Sequence, residues 1–201
     1  MVFVRRILSR AYADYTRYRP FLRQDFQHRC AYCLTHEFYL GGEAGCEIDH
    51  HRPQRGSYAR PDLANVYENL YWCCRECNQN KGDAWPRPEE LAEGRRFLDP
   101  CRTEDDHDLH WESRPDGSIA PRTPTGEYTI DRLLLWREQL VSLRRRQGEW
   151  QRERESLICL RDEYELGEEG FARVTSRLEE LALFLEPPTF RRPRRSAAQS
   201  R

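Results

Sequence analysis

Apolar side chains at Phe3, Ile7, Leu8, Ala11, Tyr15 and Tyr18 recur at steps of three and four with arginines between them, which predicts an amphipathic helix over residues 2–18. Pro20 ends it and suits the first turn of a second helix, 21–28, that would carry Phe21, Leu22 and Phe26 into a core. Gly41, Gly42 and Gly45 mark a loop before a short strand from Cys46 to His50, which Arg52-Pro53 stops. A polar connector over 54–61 leads to a stretch whose packing residues are Tyr67, Leu70, Tyr71 and Trp72. Residues 75–81 then read as one short helix closed by Gly82.

Trp85-Pro86-Arg87-Pro88 is a boundary. Beyond it, residues 109–112 and 118–120 read as the arms of a hairpin whose turn is Asp116-Gly117. Thr125 or Thr129 would cap a helix carrying Ile130, Leu133, Leu134, Trp136, Leu140, Val141 and Leu143 at helical spacing. Two further helical stretches, 149–166 and 171–185, are expected to pack as a bundle, the alternative being a dedicated partner surface. The chain thus reads as α+β. A basic helical arm (1–28) precedes a cysteine-rich core (29–86), then come a hairpin and mostly helical region (87–186) and a basic tail (187–201) of disordered composition.

Composition changes this picture little. A hydrophobic fraction of 38% and a charged fraction of 33% over 201 residues describe a polar but foldable chain. No run approaches a membrane span and the start lacks a signal-peptide core, so the expected location is the cytoplasm and no membrane partner is expected. The net charge of -1 makes no global case for nucleic acid, but its distribution is bipolar. Residues 1–29 hold seven arginines against Asp14 and Asp25, the tail holds five arginines and no acid, and residues 89–117 hold ten acids against four arginines. Such a chain can offer a basic face to phosphates, and the alternative is a solvated arginine-rich surface.

The cysteines add chemistry. Cys30-x-x-Cys33 and Cys74-x-x-Cys77 have the spacing of a closed four-thiolate zinc site, and cytosolic thiols stay reduced. Cys46, Cys73, Cys101 and Cys159 fall outside that spacing, although Cys73 adjoins Cys74 and leaves open a three-residue gap. Between the knuckles lie groups suited to phosphodiester hydrolysis. His50 is a base that titrates near neutrality, and Asp49 and the amide carbonyl of Asn78 are oxygen donors for a Mg2+ or Mn2+ type cation. Lys81 shares a helix face with Asn78 and would contact a phosphate, and Asn69 would accept from the His50 imidazole and orient it. His28, His36, His107 and His110 have no such company and read as structural or exposed.

The string Cys-x-x-Cys, Ile-Asp-His-His-x-Pro, Asn-Leu, Cys-x-x-Cys-Asn-x-x-Lys-Gly, covering about residues 26–84, resembles the zinc-containing branch of the HNH, or His-Me finger, endonuclease family. The resemblance implies a ββα-metal fold with Asp49 and Asn78 on a catalytic divalent ion, His50 as general base and Asn69 as the structural asparagine. It also puts Cys30, Cys33, Cys74 and Cys77 on structural zinc, and implies DNA as substrate with 5′-phosphate and 3′-hydroxyl products. Asn78 is a neutral donor, so the cation would be held weakly and with the help of substrate. His51 departs from the pattern, standing where an apolar residue is common.

Phe97-Leu98-Asp99-Pro100-Cys101 with the hairpin and helix beyond is also similar to the downstream part of stand-alone HNH proteins of prokaryotic anti-phage defence operons. That similarity implies an ATPase or sensor partner docked on the helical half. Two other readings stand beside the DNA nuclease: a non-catalytic zinc-ribbon module that binds nucleic acid or protein, and an RNA-cleaving toxin with the same site.

Overall fold

In a computed structural model describing residues 1–163 and 167–187, the centre of the chain is an antiparallel pair, β1 (Cys46–His50) and β2 (Leu70–Cys74). Cys46 lies opposite Cys74 and His50 opposite Leu70. Every residue of β2 is buried, which is why its sequence is an unbroken Leu-Tyr-Trp-Cys-Cys rather than an alternation. One covering layer is α1 (Arg19–Asp25), with Leu22 and the following Phe26 fully buried; the other is α2 (Arg75–Lys81), which starts where β2 stops. Gly82 ends α2 with φ +49°, as the sequence predicts.

The arm before α1 is not the expected helix. Phe3 and Ile7 would share a helical face, yet Phe3 is 1% exposed and Ile7 100%. Tertiary partners override the periodicity. Phe3 N donates to Pro100 O at 2.8 Å, and Arg5 reaches the Tyr67 and Leu70 carbonyls at 3.0 and 2.7 Å while lying over the Phe26, Tyr67 and Tyr71 rings. Arg6 pairs with the buried Asp25. Only Tyr15–Tyr18 forms a 3-10 turn, and α1 ends earlier than expected because Gln27 and His28 take positive φ to reverse the chain.

Beyond the core come α3 (Pro88–Ala92), α4 (His107–His110), the hairpin β3 (Trp111–Ser113) and β4 (Ile119–Pro121), α5 (Pro124–Arg132), α6 (Glu138–Glu163) and α7 (Glu168–Leu185). The hairpin forms with its Asp-Gly turn, although Leu109 and His110 belong to α4 rather than to the first arm. The α5 cap is Thr123, whose hydroxyl accepts from Gly126 N. Thr125 and Thr129, expected in that role, are buried and donate to the carbonyls of Gly94 and Arg96. The predicted long helix breaks at Leu134 (φ +50°), and one helix, α6, replaces the shorter charged stretch. Trp150 stacks on Phe184 and Arg177 pairs with Glu153, so α6 and α7 run antiparallel against each other. The expected end of the first charged stretch (164–166) and the tail from 188 lie outside the described residues. Among the described residues no helix is long and apolar enough to cross a membrane.

Gly117 (φ +86°) sets the hairpin turn directly on α6, where an added Cβ would stand 2.0 Å from the Val141 carbonyl oxygen. Gly117→Ala should therefore cost more than about 1 kcal/mol. Urea unfolding of the zinc-loaded protein measures this, and an unchanged midpoint would show that the hairpin does not rest on α6.

Candidate active site

Two turns build the cysteine cluster. Around Cys30 the chain closes on itself through Leu34 N to Cys30 O and Cys30 N to Thr35 O, and Ala31 N donates to Trp72 O at 2.8 Å, fixing the knuckle to β2. At the other end Cys74 is the N-cap of α2, its sulfur accepting from Cys77 N. The sulfurs of Cys30, Cys33, Cys74 and Cys77 lie within 4.8 Å of one another and all four residues are buried, a donor set that can hold a tetrahedral zinc ion. Cys73 is the neighbour rather than the ligand. Its thiol donates to Cys74 O at 3.3 Å, and burial pushes its pKa up.

Asp49 sits behind this knuckle at 3% exposure. Tyr32, between the first two cysteines, donates its hydroxyl to Asp49 Oδ2 at 2.6 Å, and Lys81 Nζ donates to Oδ1 at 3.0 Å. Lys81 also donates to His50 O at 2.7 Å, and its side chain is wholly buried. The role expected of Lys81, a direct phosphate contact, thus does not match its placement. Its ammonium faces the protein interior and fixes the end of β1.

His50 lines the cleft, its ring meeting the edge of Tyr15 with centroids 4.7 Å apart. Nε2 lies 3.0 Å from Ala64 O. A carbonyl only accepts, so this partner puts the proton on Nε2 and leaves Nδ1 as the basic nitrogen. Burial lowers the His50 pKa, outweighing the Ala64 hydrogen bond and the charge of Asp49. Asn69 was expected to hold this ring and does not. Its Oδ1 accepts from Arg52 N at 2.8 Å and its Nδ2 donates to Arg52 O and Leu63 O at 3.1 and 3.3 Å. Asn69 therefore ties the 51–69 loop, and the next residue after Leu63 is the one that orients the imidazole.

Asn78 Nδ2 donates to Glu47 Oε2 at 2.8 Å. A carboxylate only accepts, so Glu47 fixes the amide with Oδ1 turned away from it. Asn78, Asp49, His50, Tyr15, Gln54 and Asp83 all line one cleft of about 260 Å³. The structure thus brings Asp49, His50 and Asn78 to one cavity, with Lys81 behind it and Asn69 in its supporting loop. His51 packs against Tyr71 and Trp85, and burial pushes its pKa down to about 3, so it is no second base. The remaining histidines serve structure: His28 contacts Glu37, His36 caps a turn, His107 lies between the Met1 and Ala31 carbonyls, and His110 meets Thr123.

Sequence reasoning missed Tyr15, Tyr32, Glu47 and Ala64. Glu47 was findable, since it lies two residues before Asp49 on the same strand face. Ala64 was not, because it contributes only a backbone oxygen.

Fold and cluster together define an α+β protein built on a buried four-cysteine site. No protein-family profile matches the chain. No solved structure matches it either. It is similar to Septu protein PtuA from Bacillus mycoides (strain KBAB4), with 28% identity over 145 residues that cover 62% of this chain and 20% of that protein. The chain therefore spans about a fifth of the length of the relative it matches.

Removing one partner of a buried ion pair costs about 3–5 kcal/mol. Lys81→Met should show a loss of that size in chemical denaturation of the zinc-loaded protein. Wild-type stability in the variant would instead return Lys81 to an exposed, substrate-facing role.

Proposed function

We propose that the protein is a metal-dependent endonuclease of the HNH type, with a ββα-metal core, that hydrolyses phosphodiester bonds in DNA. The observation that carries this reading is the convergence of Asp49, His50 and Asn78 on one cleft. A binding module needs no such set. The Asp49 carboxylate and the Asn78 Oδ1 are hard oxygen donors, the type that suits Mg2+ or Mn2+; Asp49 keeps lone pairs beyond the bonds it accepts from Tyr32 and Lys81, and Asn78 meets Glu47 through Nδ2, not through its oxygen. A divalent ion bound there would supply positive charge for the scissile phosphate and the leaving oxygen.

The chain's own residues do the rest. His50, neutral because it is buried, takes the proton of the attacking water at Nδ1 while Ala64 O holds the ring by Nε2. Lys81 and Tyr32 hold Asp49 in place, and Glu47 aims the Asn78 oxygen. The four cysteines keep this scaffold on structural zinc. Similarity to Septu protein PtuA supports a role in anti-phage defence, with a defence protein as partner, an ATPase or sensor docked on the α6–α7 pair. The expected setting is the cytoplasm, where thiols stay reduced.

The test is cleavage of plasmid DNA under Mg2+ and Mn2+, with cellular RNA in parallel. His50→Ala should fold and keep zinc while losing about 10²–10⁴-fold in rate. Equal inactivity of wild type and variant, with the partner protein present, favours a binding module, and selective loss of RNA sinks the DNA assignment. The pH profile is a second check. The neutral imidazole is the active form and its pKa is lowered, so the acid limb of kcat/KM should lie below the ordinary value of 6.5. An acid limb above 6.5 would contradict His50 as the base.

A further inference from the structure

Arg137 lies in the turn between α5 and α6, some sixty residues from the second knuckle, yet its side chain is only 11% exposed. Nη2 points at Cys77 Sγ at 3.3 Å and at Cys74 Sγ at 3.8 Å. Nη1 donates back to the Leu133 and Leu134 carbonyls at 2.9 and 3.2 Å, closing the turn around the guanidinium. Nε meets Glu76 Oε2 at 2.9 Å, on a carboxylate that is 59% exposed. All three nitrogens are thus engaged, and the innermost faces sulfur.

The turn itself needs such an anchor. Leu134 takes φ +50°, an uncommon conformation for a bulky residue, and persists only where its surroundings over-determine it. Asn80 of α2 adds a hydrogen bond to Leu133 O at 3.2 Å, and Arg144 of α6 one to Leu135 O at 2.9 Å. Leu133 and Leu135 are fully buried on either side. The strained residue is clamped from the zinc side and from the helix side.

Glu76 meets the guanidinium only at its solvent-facing edge, while the buried Nη2 faces sulfur, and neutral thiols are weak acceptors that supply no charge there. Four thiolates around one Zn2+ leave a net double negative charge on the sulfurs, which does supply it. The geometry points to Arg137 as an outer-sphere partner of the zinc site: its N–H groups bind the Cys74 and Cys77 thiolates, so that zinc occupancy and the seating of the α5–α6 turn stabilise each other. The helical C-terminal region is therefore fastened to the core through the metal. This inference rests on the zinc donor set and is independent of cleavage.

The full-length zinc-loaded chain tests it, with transfer of zinc to the chelator 4-(2-pyridylazo)resorcinol and amide hydrogen exchange as readouts. Loss of an outer-sphere partner typically weakens metal binding about 10–100-fold. Arg137→Met should do so and should speed exchange over residues 133–140 while 46–50 and 70–74 stay protected. Arg137→Lys, which keeps the charge but not the fork, should hold zinc with intermediate strength. Glu76→Gln removes the exposed ion pair alone and should behave as wild type. Wild-type zinc retention in Arg137→Lys overturns the proposal whether or not Arg137→Met folds. So does equal loss in Glu76→Gln and Arg137→Lys, because the exposed ion pair would then carry the effect.

Discussion

The contact of four sulfurs within 4.8 Å is the constraint from which the rest of the structure follows. It joins a loop at Cys30 to the end of β2, where the Ala31 N to Trp72 O hydrogen bond already sets the two segments side by side. The first knuckle carries Tyr32 to Asp49, and the second caps α2 and so points Asn78 and Lys81 toward β1. Through Arg137 the same cluster takes hold of the turn that begins α6. A metal held by this donor set would give a small core of this kind an order that its apolar area alone supplies less sharply.

Within the cleft, charge is arranged in pairs. Asp49 is buried against Lys81 and a tyrosine hydroxyl, so its carboxylate is held rather than mobile. Asn78 is neutral, and Glu47 beside it takes its Nδ2, so that Oδ1 is turned away from that carboxylate. Burial lowers the His50 pKa, and one carbonyl orients its ring. On the proposed reading these are the parts of a phosphodiester hydrolase with a weakly held cation, one that substrate phosphates help to bind. The separation of tasks is physical: soft sulfur donors in a closed site, hard oxygen donors in an open one.

What could be seen in the sequence was what local chemistry determines. The 46–50 strand, the 75–81 helix with its Gly82 stop, the Asp-Gly hairpin turn and the cysteine spacing all depend on neighbours within a few residues. The N-terminal arm departs from its own periodicity because Phe3, Arg5 and Arg6 answer to Pro100, Leu70 and Asp25 rather than to one another. Side-chain roles failed in the same way. Lys81 and Asn69 are polar residues beside a polar site, and tertiary partners decide that one is buried in an ion pair and the other ties a loop. Thr123 rather than Thr125 or Thr129 caps α5, because the last two are buried on carbonyls some thirty residues away, which their neighbours in sequence do not show.

The most direct test of the account is a count of metal sites by class. Zinc-loaded protein should bind Mn2+ at one further, weaker site, followed by electron paramagnetic resonance, and Asp49→Asn should abolish that binding while leaving the zinc content unchanged. Zinc as the sole bound metal, or Mn2+ binding that survives Asp49→Asn, would contradict a cation site at Asp49 and Asn78.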